Sequence, residues 1–289
     1  MKKIKELLRK FLQPLGNALF SGVKEEIVTT RTLLIDKYIR RNLFENPKYA
    51  DTKKLTKYEY QVYSQNGEDG IIAEIFSRIG TTDKFFVEFG VSNGLECNSL
   101  FLLLKNWKGC WLDGGKENVR MINKKFFSLI RDAKLSIKQA FITAENIETL
   151  FAALGVPREF DLLSIDIDGN DYYVWNAIKN YSPRVVIIEY NALFRPPVEF
   201  CVKYDAGKSY SISSHFGASL KTLEILGAKK GYKLVGCNFS GVNAFFVRED
   251  LAKDKFLAPF TAETHYEDPK YFLLRTAGHK RDFGEFAVF

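Results

Sequence analysis

Residues 232–248 read YKLVGCNFSGVNAFFVR. Two apolar runs of strand type, YKLVGCN (232–238) and VNAFFVR (242–248), are separated only by Phe239-Ser240-Gly241. That connection is too short for a crossover helix, so the two strands must run antiparallel. The segment just upstream, GASLKTLEILGAKKG (217–231), has helical periodicity and delivers the chain into this hairpin.

Further upstream the pattern is different. FFVEF (85–89), GCWLD (109–113), LSIKQAF (135–141), DLLSIDI (161–167) and RVVIIEY (184–190) read as strands, with helix-length segments between them. GEDGIIAEIFSRIG (67–80) precedes the first strand and YYVWNAIKNY (172–181) follows the fourth. Continuous apolar strands joined by helical crossovers imply a parallel sheet covered on both faces. The expected fold is therefore α/β: a doubly wound, mostly parallel sheet of seven strands ending in a C-terminal antiparallel hairpin. That is the sheet plan of class I methyltransferases, whereas dinucleotide dehydrogenases normally keep their sixth strand parallel.

With 289 residues, 46% hydrophobic and 15% aromatic, the chain can bury a full core as one large domain or one domain with an appendage. The formal charge of +7 is concentrated at the N-terminus, where residues 1–60 hold 14 Lys and Arg against 7 Asp and Glu. The neutral remainder argues against a nucleic-acid groove, because phosphate tracking needs a basic surface on the domain that binds. Cys97, Cys110, Cys201 and Cys237 show no CxxC spacing, so neither a disulfide framework nor a zinc knuckle is expected and a cytoplasmic location is favoured.

The segment MKKIKELLRKFLQPLGNALFSGV (1–23) is too short and too interrupted, at Gln13, Pro14, Gly16 and Asn17, to span a bilayer. Ile4, Leu7, Leu8, Phe11 and Leu12 share one helical face with Lys2, Lys5, Arg9 and Lys10 around it. This pattern suits peripheral membrane contact through residues 1–22, docking on its own domain, or docking across a homo-oligomer. VKEEIVTTRTLLIDKYIRRNLF (23–44) reads as a second helical stretch, stopped at Asn46-Pro47. A basic helical appendage over 1–56 and a main domain over 57–289 follow.

The strand ends carry the chemistry. In a doubly wound sheet the ligand sits beyond the strand carboxyl ends, and VEFGVSNGLEC spaces Glu88, Gly90 and Gly94 there in a pattern unlike the dinucleotide GxGxxG. Gly90 and Gly94 would let the backbone approach a ligand, and Glu88 could accept a hydrogen bond from an ammonium group. Asp113, closing GCWLD 25 residues after Glu88, can take both hydroxyls of a ribose. Ala144 and Glu145 are placed to meet an adenine edge. Gln65 and Asn66, in SQNGEDG, are candidates for ligand contact, although Ser64 or Asn66 could equally cap the following helix.

Taken in order, YSQNGEDGII, FFVEFGVSNGLECN, WKGCWLDGG, LLSIDIDGNDYYVW and GASLKTLEILGAKKGYKLVGCNFSGVNAFFV resemble the FkbM-type family of S-adenosylmethionine-dependent methyltransferases over roughly residues 58 to 250. The resemblance implies methyl transfer to an oxygen, often on a sugar or polyketide-derived hydroxyl, with a small-molecule or glycan acceptor. By position it matches Glu88, Gly90, Asn93 and Gly94 to the cofactor loop, Asp113 to the ribose acid and Asp166 to the border of the methyl-donor site. Strand four departs from the commoner acidic-Gly-Glu ending of that family, reading Asp166-Ile-Asp168-Gly-Asn-Asp171.

Such an acidic cluster needs a cation, a hydrogen-bonding ligand or open water. Asp166, Asp168, Glu189 and Asn191 would offer the all-oxygen shell that Mg²⁺ or Mn²⁺ takes. Alternatively, Asp168 and Asp171 cap the helix that follows. The candidates for removing the acceptor proton are Asp166, Asp168 and His215, while Tyr190, Phe194, Arg195 and Pro196-Pro197 fall where the acceptor pocket is expected. Two rival readings are a metal-dependent glycosyltransferase, with Asp166-Ile-Asp168 as a D-x-D motif, and a non-catalytic membrane-surface scaffold.

Overall fold

The computed structural model describes residues 2–207, 213–274 and 281–284, apart from the side chains of 2–11 and 13–19. The side chains of Ile4, Leu7, Leu8 and Phe11 thus lie outside the described ones. Seven strands form one sheet: β1 (Phe85–Phe89), β2 (Lys108–Asp113), β3 (Leu135–Gln139), β4 (Glu159–Ile165), β5 (Ser182–Glu189), β6 (Tyr232–Cys237) and β7 (Asn243–Arg248). Their order is β3-β2-β1-β4-β5-β7-β6. The pairs among β1 to β5 are parallel, and β7 runs antiparallel to both β5 and β6. This is the class I methyltransferase sheet, and every strand bound falls within two residues of the sequence expectation.

Side chains alternate cleanly across the sheet. Val87, Leu112, Leu163, Val186 and Phe246 enter one core with α6 (Ile147–Ala153), α7 (Asp171–Ala177) and α8 (Leu220–Lys229). Phe86, Trp111, Leu162, Val185 and Phe245 enter the other with α2 (Glu68–Ile79), α3 (Leu100–Leu103), α4 (Lys116–Lys125) and α5 (Phe127–Arg131). Burial on both faces is why these strands read as unbroken apolar runs. The hairpin turn closes with Gly241 at φ +72° and its N–H on the Asn238 carbonyl at 3.0 Å. Asn238 Oδ1 accepts from Val242 and Asn243 N–H, which fixes the register.

At the far end of β4 and β5, Asp161 is fully buried and pairs with Arg184 at 2.6 Å. It also accepts from the Thr82 and Lys84 N–H groups, so the buried charge has a full set of partners.

The N-terminal segment differs from the expectation of two helical stretches. A single helix, α1, runs from Lys2 to Ile39 and passes through Pro14 and Gly16, ending in a π-type turn over Arg40–Phe44. A proline removes one N–H and crowds one turn, a local perturbation that a long helix spans. Phe20, Val23, Ile27, Leu33 and Leu34 are exposed on α1, and Ile35 is the first buried side chain after them. Leu43 and Tyr49 pack against Phe239 at the hairpin turn, and Leu55 covers Gly236 of β6, where a Cβ would lie 3.1 Å from it. None of the four cysteines forms a disulfide, and no helix of the described residues is long and apolar enough to cross a membrane.

Candidate active site

The carboxyl ends of β1 to β4 open onto a cleft of ≈ 510 Å³, with Gly90, Asp113, Phe141, Asp166 and Asn170 among its walls. A smaller chamber of ≈ 210 Å³ adjoins it, sharing Gly90, Ser92 and Asp166 and reaching Gln65, Asn66, Glu68, Glu88 and Asn243. Together these are of the size that encloses a nucleoside-sized ligand.

Gly90 is required by close approach. At φ +69° its Cβ would lie 1.7 Å from the Asp166 carbonyl oxygen, so the end of β1 can pass β4 only without a side chain. Gly94 serves a different purpose from the one its spacing suggested. A Cβ there would sit 2.8 Å from the Trp111 ring and 2.9 Å from Phe126, so it packs on the core instead of facing a ligand. Asn93 is exposed and its Oδ1 accepts from Leu95 N–H at 2.9 Å, which stabilises its own turn.

Glu88 is buried and already engaged. The N–H groups of Asn98 (2.7 Å) and Ser99 (2.9 Å) donate to its carboxylate, as does the Ser99 hydroxyl. Burial pushes its carboxyl up, against the pull of these donors. The acid thus folds the loop after β1 back onto the sheet while bordering the smaller chamber.

Asp113, 6% exposed, is held by Ser92 N–H (2.8 Å), Gly115 N–H (2.7 Å) and Asn118 Nδ2 (3.0 Å). These bonds orient the carboxylate on the cleft wall and leave acceptor capacity, since two carboxylate oxygens offer about four lone-pair sites. Asn118, in α4, was not foreseen; the signal was an amide one turn into the helix that follows the acid. Gln65 is exposed and Asn66 half-buried at the small chamber. The Ser64 hydroxyl accepts from Asp69 N–H at the start of α2, so the capping role belongs to Ser64.

Ala144 and Glu145 do not line the cleft. The Tyr204 hydroxyl donates to the Glu145 carboxylate and accepts from Ala144 N–H at 3.2 Å. Ala140, Phe141 and Ile142, immediately after β3, line the cleft in their place.

The acids of β4 and β5 converge as expected for three of the four candidates. Carboxylate oxygens of Asp166, Asp168 and Glu189 lie within 4.8 Å of one another. Burial, then Asp171 and Asp168, hold the Asp166 carboxyl well above the ordinary range. Burial, then Asp166, Asp171 and Asp168, do the same for Glu189. Among the described residues nothing hydrogen-bonds the buried Glu189 Oε2, a costly state for an acceptor. Asp168 sits at φ +58°, and Asp171 accepts from Ile167 (2.8 Å) and Gly169 (2.9 Å) N–H, stitching the turn. Burial nevertheless pushes Asp171 up to about 6.

The Asn191 amide makes its hydrogen bonds to other segments. Its Nδ2 donates to the Ser214 and Phe216 carbonyls at 2.9 and 3.0 Å, and its Oδ1 accepts from Leu193 N–H. It anchors the segment that carries His215. His215 is exposed, its ring edge-on to Phe200 at 6.3 Å, and is absent from the cleft walls. Tyr190 is buried with its hydroxyl on the Glu267 carbonyl, Phe194 stacks on Phe200 at 3.8 Å, and Arg195 pairs with Asp268. These contacts fix the side chains that follow β5.

No protein-family model matches the chain, and no curated protein matches it. Among solved structures it is similar to WbdD co-crystallised with the kinase inhibitor LY294002 (16% identity, TM-score 0.38), over 64% of this chain and 41% of that one. It is also similar to the N-terminal domain of EvdMO1 with S-adenosylhomocysteine bound (16% identity, TM-score 0.41), over 78% of this chain and 94% of that one. An S-adenosylmethionine-dependent methyltransferase from Clostridium acetobutylicum matches 74% of this chain and 96% of its own at 13% identity, TM-score 0.39. At these scores the likenesses add nothing to the strand order already described.

Proposed function

We propose that the chain is an S-adenosylmethionine-dependent methyltransferase acting on a hydroxyl of a sugar or glycan-related acceptor, with a divalent cation at Asp166, Asp168 and Glu189. One observation carries this reading: Asp113, fixed by three donors, and the side-chain-free Gly90 flank a ≈ 510 Å³ cleft beyond the strand carboxyl ends, where a doubly wound sheet receives a nucleoside. The sugar-type acceptor comes from the sequence resemblance.

Methyl transfer is an in-line displacement in which the acceptor oxygen bonds the methyl carbon as the carbon–sulfur bond breaks. Thioether leaves, and the hydroxyl proton passes to a base. Asp166 borders both chambers, and its carboxylate form is the candidate to accept that proton. The donor set of three carboxylates, one with an unserved buried oxygen, fits Mg²⁺ or Mn²⁺. Such an ion, when bound, would lower the pKa of the acceptor hydroxyl. The basic N-terminal segment, together with exposed Phe20, Val23, Ile27 and Leu34 along one side of α1, is read as a peripheral contact with the inner membrane face.

Isothermal titration with S-adenosylhomocysteine tests the cofactor reading. Binding is expected without added metal, weakened roughly tenfold or more by Asp113→Ala, since a hydrogen bond to a charged group contributes about 1.5–3 kcal/mol. Absence of binding overturns it, and binding of a nucleotide sugar with Mn²⁺ instead would favour the glycosyltransferase.

A further inference from the structure

Helix α1 has two apolar sides, and the body of the protein covers one of them. Val28, Thr32, Ile35 and Ile39 recur at steps of four, three and four, are the less exposed residues, and lead to the packing of Ile39 beside Leu43 and Phe239. Phe20, Val23, Ile27 and Leu34 lie about 120° away around the axis and are 52–65% exposed. From Phe20 the chain steps through Val23, Ile27 and Thr30 to Leu34 by three, four, three and four residues. In a heptad abcdefg this puts Phe20, Ile27 and Leu34 at a and Val23 and Thr30 at d, with the exposed Leu33 beside them at g. An a/d stripe is the seam of a helix pair, whereas a helix on a flat apolar surface needs no 3.5-residue repeat.

The charges beside the stripe decide what the partner is and which way it runs. Lys24 and Arg31 fall at e and Glu26 at g. In a parallel pair of identical helices a g residue meets the e residue five positions onward in the other helix. Glu26 therefore meets Arg31 of the second copy, and two-fold symmetry forms that ion pair twice. An antiparallel pair would instead set e against e and bring Lys24 against Arg31, two like charges. Arg31 is exposed, with its Nη2 3.5 Å from the Phe272 carbonyl, a long contact that a carboxylate can replace.

We propose that, off the membrane, α1 pairs in parallel with α1 of a second copy of this chain through residues 20–34. The seam is about 21 Å long, so the dimer is a weak one that separates on dilution. It covers in water the same stripe that is read above as a membrane contact. The parallel arrangement also brings both basic N-terminal segments to one end of the pair, where they face the same surface.

The test is sedimentation equilibrium of the full chain without lipid, at loading concentrations from about 1 to 100 µM. A monomer–dimer equilibrium is expected for the wild type, and Ile27→Asp should abolish it. Glu26→Arg should weaken association roughly tenfold, because it sets like charges together twice. Combining Glu26→Arg with Arg31→Glu rebuilds the pair in reverse and should restore association to within about threefold, a rescue that mere damage to the helix would not permit. A wild type that stays monomeric throughout overturns the proposal, and if it pellets with anionic vesicles the stripe belongs to lipid alone. A dimer indifferent to Ile27→Asp, or one that the double reversal fails to restore, overturns it equally.

Discussion

Glu189→Gln is nearly isosteric and removes one charge from the acidic cluster, so its effect can be worked out in sign and size. The ligand oxygens of Asp166, Asp168 and Glu189 lie within 4.8 Å of one another, a separation at which two unit charges repel by about 3.5 kcal/mol at an effective dielectric constant of about 20. Protonation sheds part of that repulsion, because burial and the neighbouring acids hold Asp166 and Glu189 well above their ordinary range. The net penalty left at pH 8 is therefore smaller than this Coulomb figure. For an acid whose folded pKa is raised, the penalty is absent below the unfolded value of 4.5 and grows as pH rises toward the folded value. Metal-free Glu189→Gln should therefore melt above the wild type at pH 8, with the advantage vanishing toward pH 4. Mn²⁺ at about a hundred times its dissociation constant should stabilise the wild type by about 2.7 kcal/mol, or roughly 4 °C for a chain of this size. The variant should show little of that rise. Thermal denaturation with EDTA and with Mn²⁺, at pH 5 and pH 8, reads all of these. The cluster is no cation site if the variant is the less stable protein in EDTA at pH 8, or if it keeps the full Mn²⁺ response.

Other expectations follow from single contacts. Gly90→Ala places a methyl 1.7 Å from the Asp166 carbonyl at φ +69°, so denaturant titration should show a loss of about 3 kcal/mol or more; an unchanged midpoint would contradict the close approach of β1 and β4. Asp161→Ala leaves Arg184 buried and unpaired, and urea unfolding should record a loss of about 3–5 kcal/mol, with a loss below 1 kcal/mol counting against it. Deleting residues 1–34 should leave the melting temperature within roughly 2 °C, because the described apolar side chains there are exposed apart from the half-buried Val28. The same deletion should abolish co-sedimentation with anionic vesicles, and retained sedimentation would remove α1 from the membrane reading.

The fold was largely legible because its determinants are local or periodic. Apolar runs of strand length, helix-length spacers and the short Phe239-Ser240-Gly241 connection fix a parallel sheet with an antiparallel end. The positions of Gly90, Asp113, Asp166, Asp168 and Glu189 at strand ends were equally legible, since a strand end is a place along the chain. Asn118, Phe141 and Asn170 escaped notice because nothing along the chain tells which neighbours of a strand end form a wall.

What the chain by itself determined is which residue types arrive at the carboxyl edge of the sheet, because periodicity and turn length are properties of consecutive residues. Only the tertiary structure decided where their polar atoms are committed. Glu88 is engaged ten and eleven residues onward by Asn98 and Ser99, and Glu145 is tied to Tyr204 across 59 positions. Asn191 is spent on carbonyls of Ser214 and Phe216. A carboxylate or amide takes whichever donor or acceptor the fold brings within about 3 Å, and that neighbour is set by packing between distant segments, which no spacing along the sequence encodes.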